Sequence, residues 1–319
     1  MDFPDDIKLA GKKAHQLRYG ENPHQQAALY LDTSVTRPSV ARAKKLQGKE
    51  LSFNNIADAD AAFECVAEFT EPAVVIVKHM NPCGVSVSRT PLLAYRNALA
   101  CDPVSAFGGI VALNRPLDAA LAQELTKIFL EVIIAPSVEN EALAVLSGKQ
   151  NVRVLETGGM PDASMEEMTV RSVAGGFLVQ SRDNKVVEGE LRTVTKREPT
   201  SEELADMRFA FTVCKHVKSN AIVYAKNGAT LGIGAGQMSR IYSAKLAAIK
   251  ASDAKLSLKG AVMASDAFMP FPDCVEEAAS HGITAVIQPG GSKNDHASID
   301  AADAVGMAMV FTGIRHFRH

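Results

Sequence analysis

Short apolar runs alternate along this chain with stretches patterned at helical spacing, and that alternation predicts its elements. Val74-Val75-Ile76-Val77 is an unbroken β-branched run, the pattern of a strand buried on both faces. Similar strands are predicted at Gly109–Leu113, Val132–Ile134, Gly260–Ser265, Thr284–Ile287 and Ala308–Thr312. Between them, Asp58–Phe69, Pro91–Leu99, 117–130 and Glu139–Leu146 predict helices. Further helices are predicted from a Thr200 cap to Lys215, from the Gly-rich stretch 232–240 through residue 251, over Asp273–Ser280 and over Ala297–Val305. Ala221–Gly234 predicts a hairpin turning at Asn227-Gly228, 169–181 is strand-like, and 17–25 and 45–56 read as loops. Strands alternating with helices place the chain in the α/β class.

Length changes this picture by allowing two domains at roughly 150 residues each. The segments 157–168 and 182–200, rich in Gly, Pro, Ser and charge, put the boundary near residue 185, giving domains 1–185 and 186–319. A net charge of -2 leaves no basic footprint, so no nucleic-acid partner is expected. Five scattered cysteines without a CxxC pair point to reduced thiols in the cytoplasm. The acidic start, Met1–Asp6, has no apolar core of a signal peptide, and no run is long enough to cross a membrane. The expectation is a soluble cytoplasmic protein.

Candidate chemistry begins where the Val74–Val77 strand ends. Pro82 and Gly84 are expected to turn the chain there, leaving Lys78 and His79 at the sheet rim, where α/β proteins bind ligands. A His exchanges protons near neutrality and a Lys supplies charge or a proton, although a solvated Lys beside an edge His explains a lone pair more often. The Gly232–Arg240 run either cradles an anion on backbone N–H groups or is a structural turn; its register matches neither a dinucleotide fingerprint nor a P-loop. Lys215-His216 echoes Lys78-His79, but at a helix C-terminus it reads as structural, and no finer repeat is visible. No His is followed two residues later by Glu, and Pro82-Cys83 lacks the second Cys of a zinc deaminase. G-x-S-x-G, HExxH and EF-hand patterns are absent too. What remains fits acid–base group transfer on a small phosphate-bearing substrate.

Seven stretches then carry a resemblance. They are Leu17–Gln25 (LRYGENPHQ), Val77–Gly84 (VKHMNPCG), Ser105–Gly109 (SAFGG), Lys218–Ala221 (KSNA), Gly234–Arg240 (GAGQMSR), Ser265–Asp273 (SDAFMPFPD) and the terminal Arg315–His319 (RHFRH). Together, from about residue 14 to the end, they resemble the transformylase part of the bifunctional purine-biosynthesis (PurH) family, whose activity is AICAR (5-aminoimidazole-4-carboxamide ribonucleotide) formyltransferase. Such proteins usually carry an IMP cyclohydrolase domain ahead of this part. The sequence here starts where that domain would end, so ring closure to IMP is expected to be absent.

The resemblance implies two tandem cytidine-deaminase-like three-layer α/β/α domains without zinc, and a homodimer with shared active sites. It implies formyl transfer from 10-formyltetrahydrofolate to the 5-amino group of AICAR, with Lys78 and His79 as the catalytic pair. Substrate contacts carried over by resemblance are Arg18, Tyr19, Gly108, Asn220, Arg240, Phe268, Arg315 and Phe317. Glu131 stands where the family can show Asp. Folate contacts would involve Phe107, Ile241, Pro270 and Asp273. Some members hold a monovalent cation such as potassium near Ser219 and Asp266, although Val217 and Ala221 replace hydroxyl ligands here. An alternative of a different class is a catalytically silent, purine-nucleotide-binding regulatory subunit.

Overall fold

The computed structural model describes residues 3–187 and 189–319, so Met1 and Asp2 of the acidic start lie outside the described residues. In chain order, β1 (Lys12–Leu17) and β2 (Ala27–Leu31) form a separate hairpin, followed by β3 (Lys44–Gln47) and α1 (Phe53–Val66). Then come β4 (Ala73–Lys78), β5 (Asn81–Val87), α2 (Pro91–Cys101), α3 (Pro103–Ala106), β6 (Gly109–Leu113) and α4 (Ala119–Leu125). After β7 (Leu130–Ala135), α5 (Asn140–Leu146) and β8 (Arg153–Glu156), an exposed hairpin of β9 (Met168–Val173) and β10 (Gly176–Ser181) leads to β11 (Arg192–Thr193). The remainder is α6 (Ser201–Lys215), β12 (Ile222–Lys226), β13 (Ala229–Gly234), α7 (Arg240–Asp253), β14 (Val262–Ser265), α8 (Asp273–Ser280), β15 (Ala285–Gln288), α9 (Asp295–Ala304) and β16 (Ala308–Phe311).

One mixed sheet of twelve strands organises the molecule, in the order β11-β16-β15-β14-β12-β13-β5-β4-β6-β7-β8-β3. Side chains alternate across it. Val75 and Val77 point into a core shared with α1 and α6, whereas Val74 and Ile76 face α2, α4 and α5. A matching second core lies under α7, α8 and α9. Helices therefore cover both faces, which is why β4 reads as an uninterrupted hydrophobic run.

The strand order hides a repeat. Each side of the centre runs helix, hairpin, helix and then parallel strands with helical crossovers: α1-β4-β5-α2-β6-β7-β8 and α6-β12-β13-α7-β14-β15-β16. An antiparallel edge strand closes each end, β3 on β8 and β11 on β16. At the seam β5 meets β13 antiparallel, with Ala229 opposite Ser86. The Thr230 hydroxyl accepts from Val85 N at 2.9 Å and donates to Val85 O at 3.2 Å. The Lys-His echo is thus replaced by a fuller one: Lys78 corresponds to Lys226, not to Lys215.

Three local expectations are corrected. Helix α1 begins at Phe53 rather than Asp58, because Ser52 and Asn55 form a capping box, and β3 occupies part of the expected loop 45–56. Pro82 and Gly84 do not turn the chain; both lie inside β5, and the turn is His79-Met80, with φ of 51° and 62°. Gly84 serves packing instead, since a Cβ there would lie 1.9 Å from Ala98 O of α2. Gly232 and Gly234 likewise belong to β13, where a Cβ would lie 2.1 Å from Ala247 O and 1.9 Å from Ser243 O of α7, so only Gly236 (φ 68°) of that run is a turn glycine.

Candidate active site

Strand β4 delivers Lys78 to the rim with its Nζ donating to Phe107 O (2.9 Å) and Gly108 O (3.1 Å). Gly108 must be glycine-like here: its φ is 69° and a Cβ would stand 3.0 Å from that Nζ. Two of the three ammonium hydrogens are thereby engaged, leaving one for a ligand. His79 follows, exposed, in a left-handed conformation that costs roughly 1–2 kcal/mol per non-Gly residue. Asp58 of α1 answers it from below, its Oδ1 accepting Met80 N at 2.8 Å. Burial pushes the Asp58 carboxyl up, partly opposed by the Met80 N–H and by the charges of His79 and Lys78.

A second group converges from the other half. Asn81 Oδ1 accepts Lys218 N (3.0 Å), tying the hairpin to the segment that carries Ser219 and Asn220. Asn220 donates Nδ2 to Gln237 O (2.8 Å) and accepts at Oδ1 from Arg240 (2.7 Å), which also donates to Phe268 O (2.9 Å). Arg240 Nε is buried without a protein partner. Asn220, Arg240, Ile241, Pro270 and Asp273 line one cavity of about 180 Å³. Asp266, fully buried, accepts from Ser219 Oγ at 2.6 Å and faces Arg240 at 3.5 Å. The carboxylate beside which a monovalent cation is expected thus already faces a guanidinium. Among the described residues, no cluster of three or more His, Cys, Asp and Glu is spaced to hold a metal.

The remaining expected residues have the following partners. Phe107 is exposed and tilted against Phe129, with ring centroids 5.4 Å apart. Glu131 is paired with Arg153. Arg18 stacks over Tyr19 in the β1–β2 loop, which Asn54 anchors through Glu21 O at 3.1 Å. Among the described residues no hydrogen bond joins Arg18 or Tyr19 to Lys78 or Arg240. Arg315 covers the Phe317 ring at 4.5 Å, while His316 is buried between Asp183 Oδ2 (2.6 Å) and Val186 O (2.9 Å). The tail is held on both sides of Phe317, by His316 N to Asp266 O and by Arg318 N to Ser219 Oγ.

Asp58, Asn81 and Gln237 are the residues that motif reading missed. A signal for Asp58 existed: Ala57-Asp58 and Ala62-Phe63 recur at identical spacing as Ala205-Asp206 and Ala210-Phe211. Lys215 and His216, read as structural at a helix C-terminus, are buried against Glu68 Oε1 at 2.8 and 3.0 Å.

Residues 1–250 match the model of the AICARFT/IMPCHase bienzyme family. The chain is similar over its whole length to the bifunctional purine biosynthesis protein PurH of Rhodospirillum rubrum, at 59% identity. The PurH proteins of Caulobacter vibrioides and Rhizobium leguminosarum are similar at 57% and 56%. In each case the match covers 61–62% of the relative, so the chain spans about three fifths of the length of these curated relatives. With the family model matching residues 1–250 and relatives 56–59% identical over the whole chain, the chain belongs to the AICARFT/IMPCHase bienzyme family.

Proposed function

We propose that this chain transfers a formyl group from 10-formyltetrahydrofolate to the 5-amino group of AICAR. The observation that carries the reading is the His79 turn, an exposed histidine next in the chain to Lys78, whose ammonium keeps one donor free. The aromatic amine is a weak nucleophile, so its proton must leave as its nitrogen attacks the formyl carbon. His79 takes that proton. The free N–H of Lys78 stabilises the developing oxyanion and then protonates the departing folate nitrogen as its bond to the formyl carbon breaks. Arg240, whose guanidinium lines the cavity, supplies a charge-assisted grip for the ribonucleotide phosphate. Asn220 orients that guanidinium, and Ile241, Pro270 and Asp273 form the wall assigned to folate. Gly108, Phe107 and Phe268 flank the reacting groups, and Arg18, Tyr19, Arg315 and Phe317 complete the substrate site from two loops. Glu131 is held back by Arg153 and reaches ribose only if that pair opens.

Within this reading the two halves, 1–185 and 186–319, are tandem cytidine-deaminase-like domains working without zinc, in the cytoplasm, as a homodimer. The exposed apolar side chains of the β9–β10 hairpin, Met168, Val170, Phe177 and Leu178 among them, support a partner surface. The test is tetrahydrofolate release, followed by absorbance, from the purified chain with AICAR and 10-formyltetrahydrofolate. Turnover abolished by His79→Ala is expected; AICAR binding without turnover in the wild type would favour the silent nucleotide-binding subunit.

A further inference from the structure

The repeat supplies an internal comparison for the catalytic turn. Hairpin β12–β13 turns at Asn227-Gly228, with φ of 53° and 68°, as β4–β5 turns at His79-Met80. Lys226 Nζ donates to Lys259 O at 2.9 Å, as Lys78 does to Phe107 O. Gly260 shares with Gly108 a φ of 69° and a backbone bond to the next strand's approach, Gly282 O at 2.8 Å against Phe129 O at 2.7 Å. Asp206, sixth residue of α6, accepts Asn227 N and Gly228 N, both at 2.8 Å; Asp58, sixth residue of α1, accepts Met80 N at the same distance.

The Lys, the left-handed Gly and the helix Asp are thus common scaffold, and the turn residues are what differ. Asn-Gly enters a two-residue turn of this kind readily, whereas His-Met does not. The second hairpin would keep its turn without help. The first has a reason to depend on its Asp.

We infer that Asp58 is a positioning residue for His79, its carboxylate holding the His79–Met80 turn in the left-handed conformation that sets the imidazole beside Lys78. The inference rests on the formyltransferase reading for its consequence, although the bond itself does not. In Asp58→Ala, kcat should fall about ten- to a hundredfold, with KM for both substrates changed less than about threefold because the Arg240 cavity is untouched. Asp206→Ala should keep its kcat. Adding Met80→Gly to Asp58→Ala relaxes the strained position and should return much of the lost kcat; a double variant no faster than Asp58→Ala would overturn the positioning role. Hydrogen exchange of the Met80 amide gives a readout free of turnover. Exchange that is slow in wild type and fast in Asp58→Ala supports the inference, and equal exchange overturns it. An inactive wild-type chain would sink the formyltransferase reading while the amide measurement still decides on Asp58.

Discussion

Glu68 offers the sharpest test of what joins the two halves. It lies just beyond α1 and meets Lys215 Nζ at 2.8 Å and His216 Nε2 at 3.0 Å, at the end of α6. All three side chains are nearly inaccessible, at 4–5% exposure. Burial pushes the Glu68 carboxyl up, but the His216 bond and the Lys215 charge outweigh it and hold the group at about 2. Burial pushes His216 down, more than Glu68 pulls it up, so it stays neutral and donates Nε2–H. Its Nδ1 is then an acceptor, buried without a protein donor. Glu68→Gln leaves the Lys215 ammonium buried without a counter-charge, a loss of about 3–5 kcal/mol. Linkage gives a similar figure: a carboxyl held at about 2 instead of 4.5 corresponds to about 3 kcal/mol. Because the folded value is depressed, that stability is complete above pH 4.5 and fades as pH falls toward 2. Scanning calorimetry should show the variant melting roughly 5–15 °C lower at pH 7, the gap narrowing below pH 4.5. Replacing Glu68 and Lys215 together by Met should recover most of it. A Gln variant within about 1 kcal/mol of wild type at pH 7 would refute the buried-pair account.

Two further outcomes follow from the geometry. Arg240→Ala should raise KM for AICAR about 10- to 100-fold, with a smaller change in kcat, if its guanidinium grips the phosphate; steady-state kinetics at varied AICAR check this, and an unchanged KM would remove it from substrate contact. Gly84→Ala sets a methyl 1.9 Å from Ala98 O, a backbone atom that cannot swing aside, so soluble yield and melting temperature should both drop sharply.

Much of this fold was legible from periodicity because the sheet is covered on both faces. Runs such as Val74–Val77 and Val132–Ile134 had no polar alternation to mislead. The short strands at the sheet's ends were not: the edge strands β3 and β11, and β8 beside β3, are two to four residues long, too short to set a period. Segment 169–181 read as one strand although Gly175-Gly176 at its middle is a hairpin-turn signal, and the chain does reverse at Ala174-Gly175. Gly84 and Gly232 looked like punctuation but answer to helices packed against them, a tertiary cause that no local window contains. At the site, Lys78 and Arg240 were accessible through motifs. Asp58 was not, since its partner, the Met80 amide, lies in another element. Aligning Ala57-Asp58 with Ala205-Asp206 would have pointed to it.

The seam between β5 and β13 has a symmetry consequence. Antiparallel pairing of like strands is what a two-fold axis through a sheet imposes when a small protein pairs with its own copy. With matching edges at both ends and equivalent hairpins at the centre, the chain carries that pseudo-two-fold within one polypeptide. Two copies of one subunit must be identical, but two halves of one chain need not be. Their equivalent hairpins therefore turn on different residues, His79-Met80 in one and Asn227-Gly228 in the other.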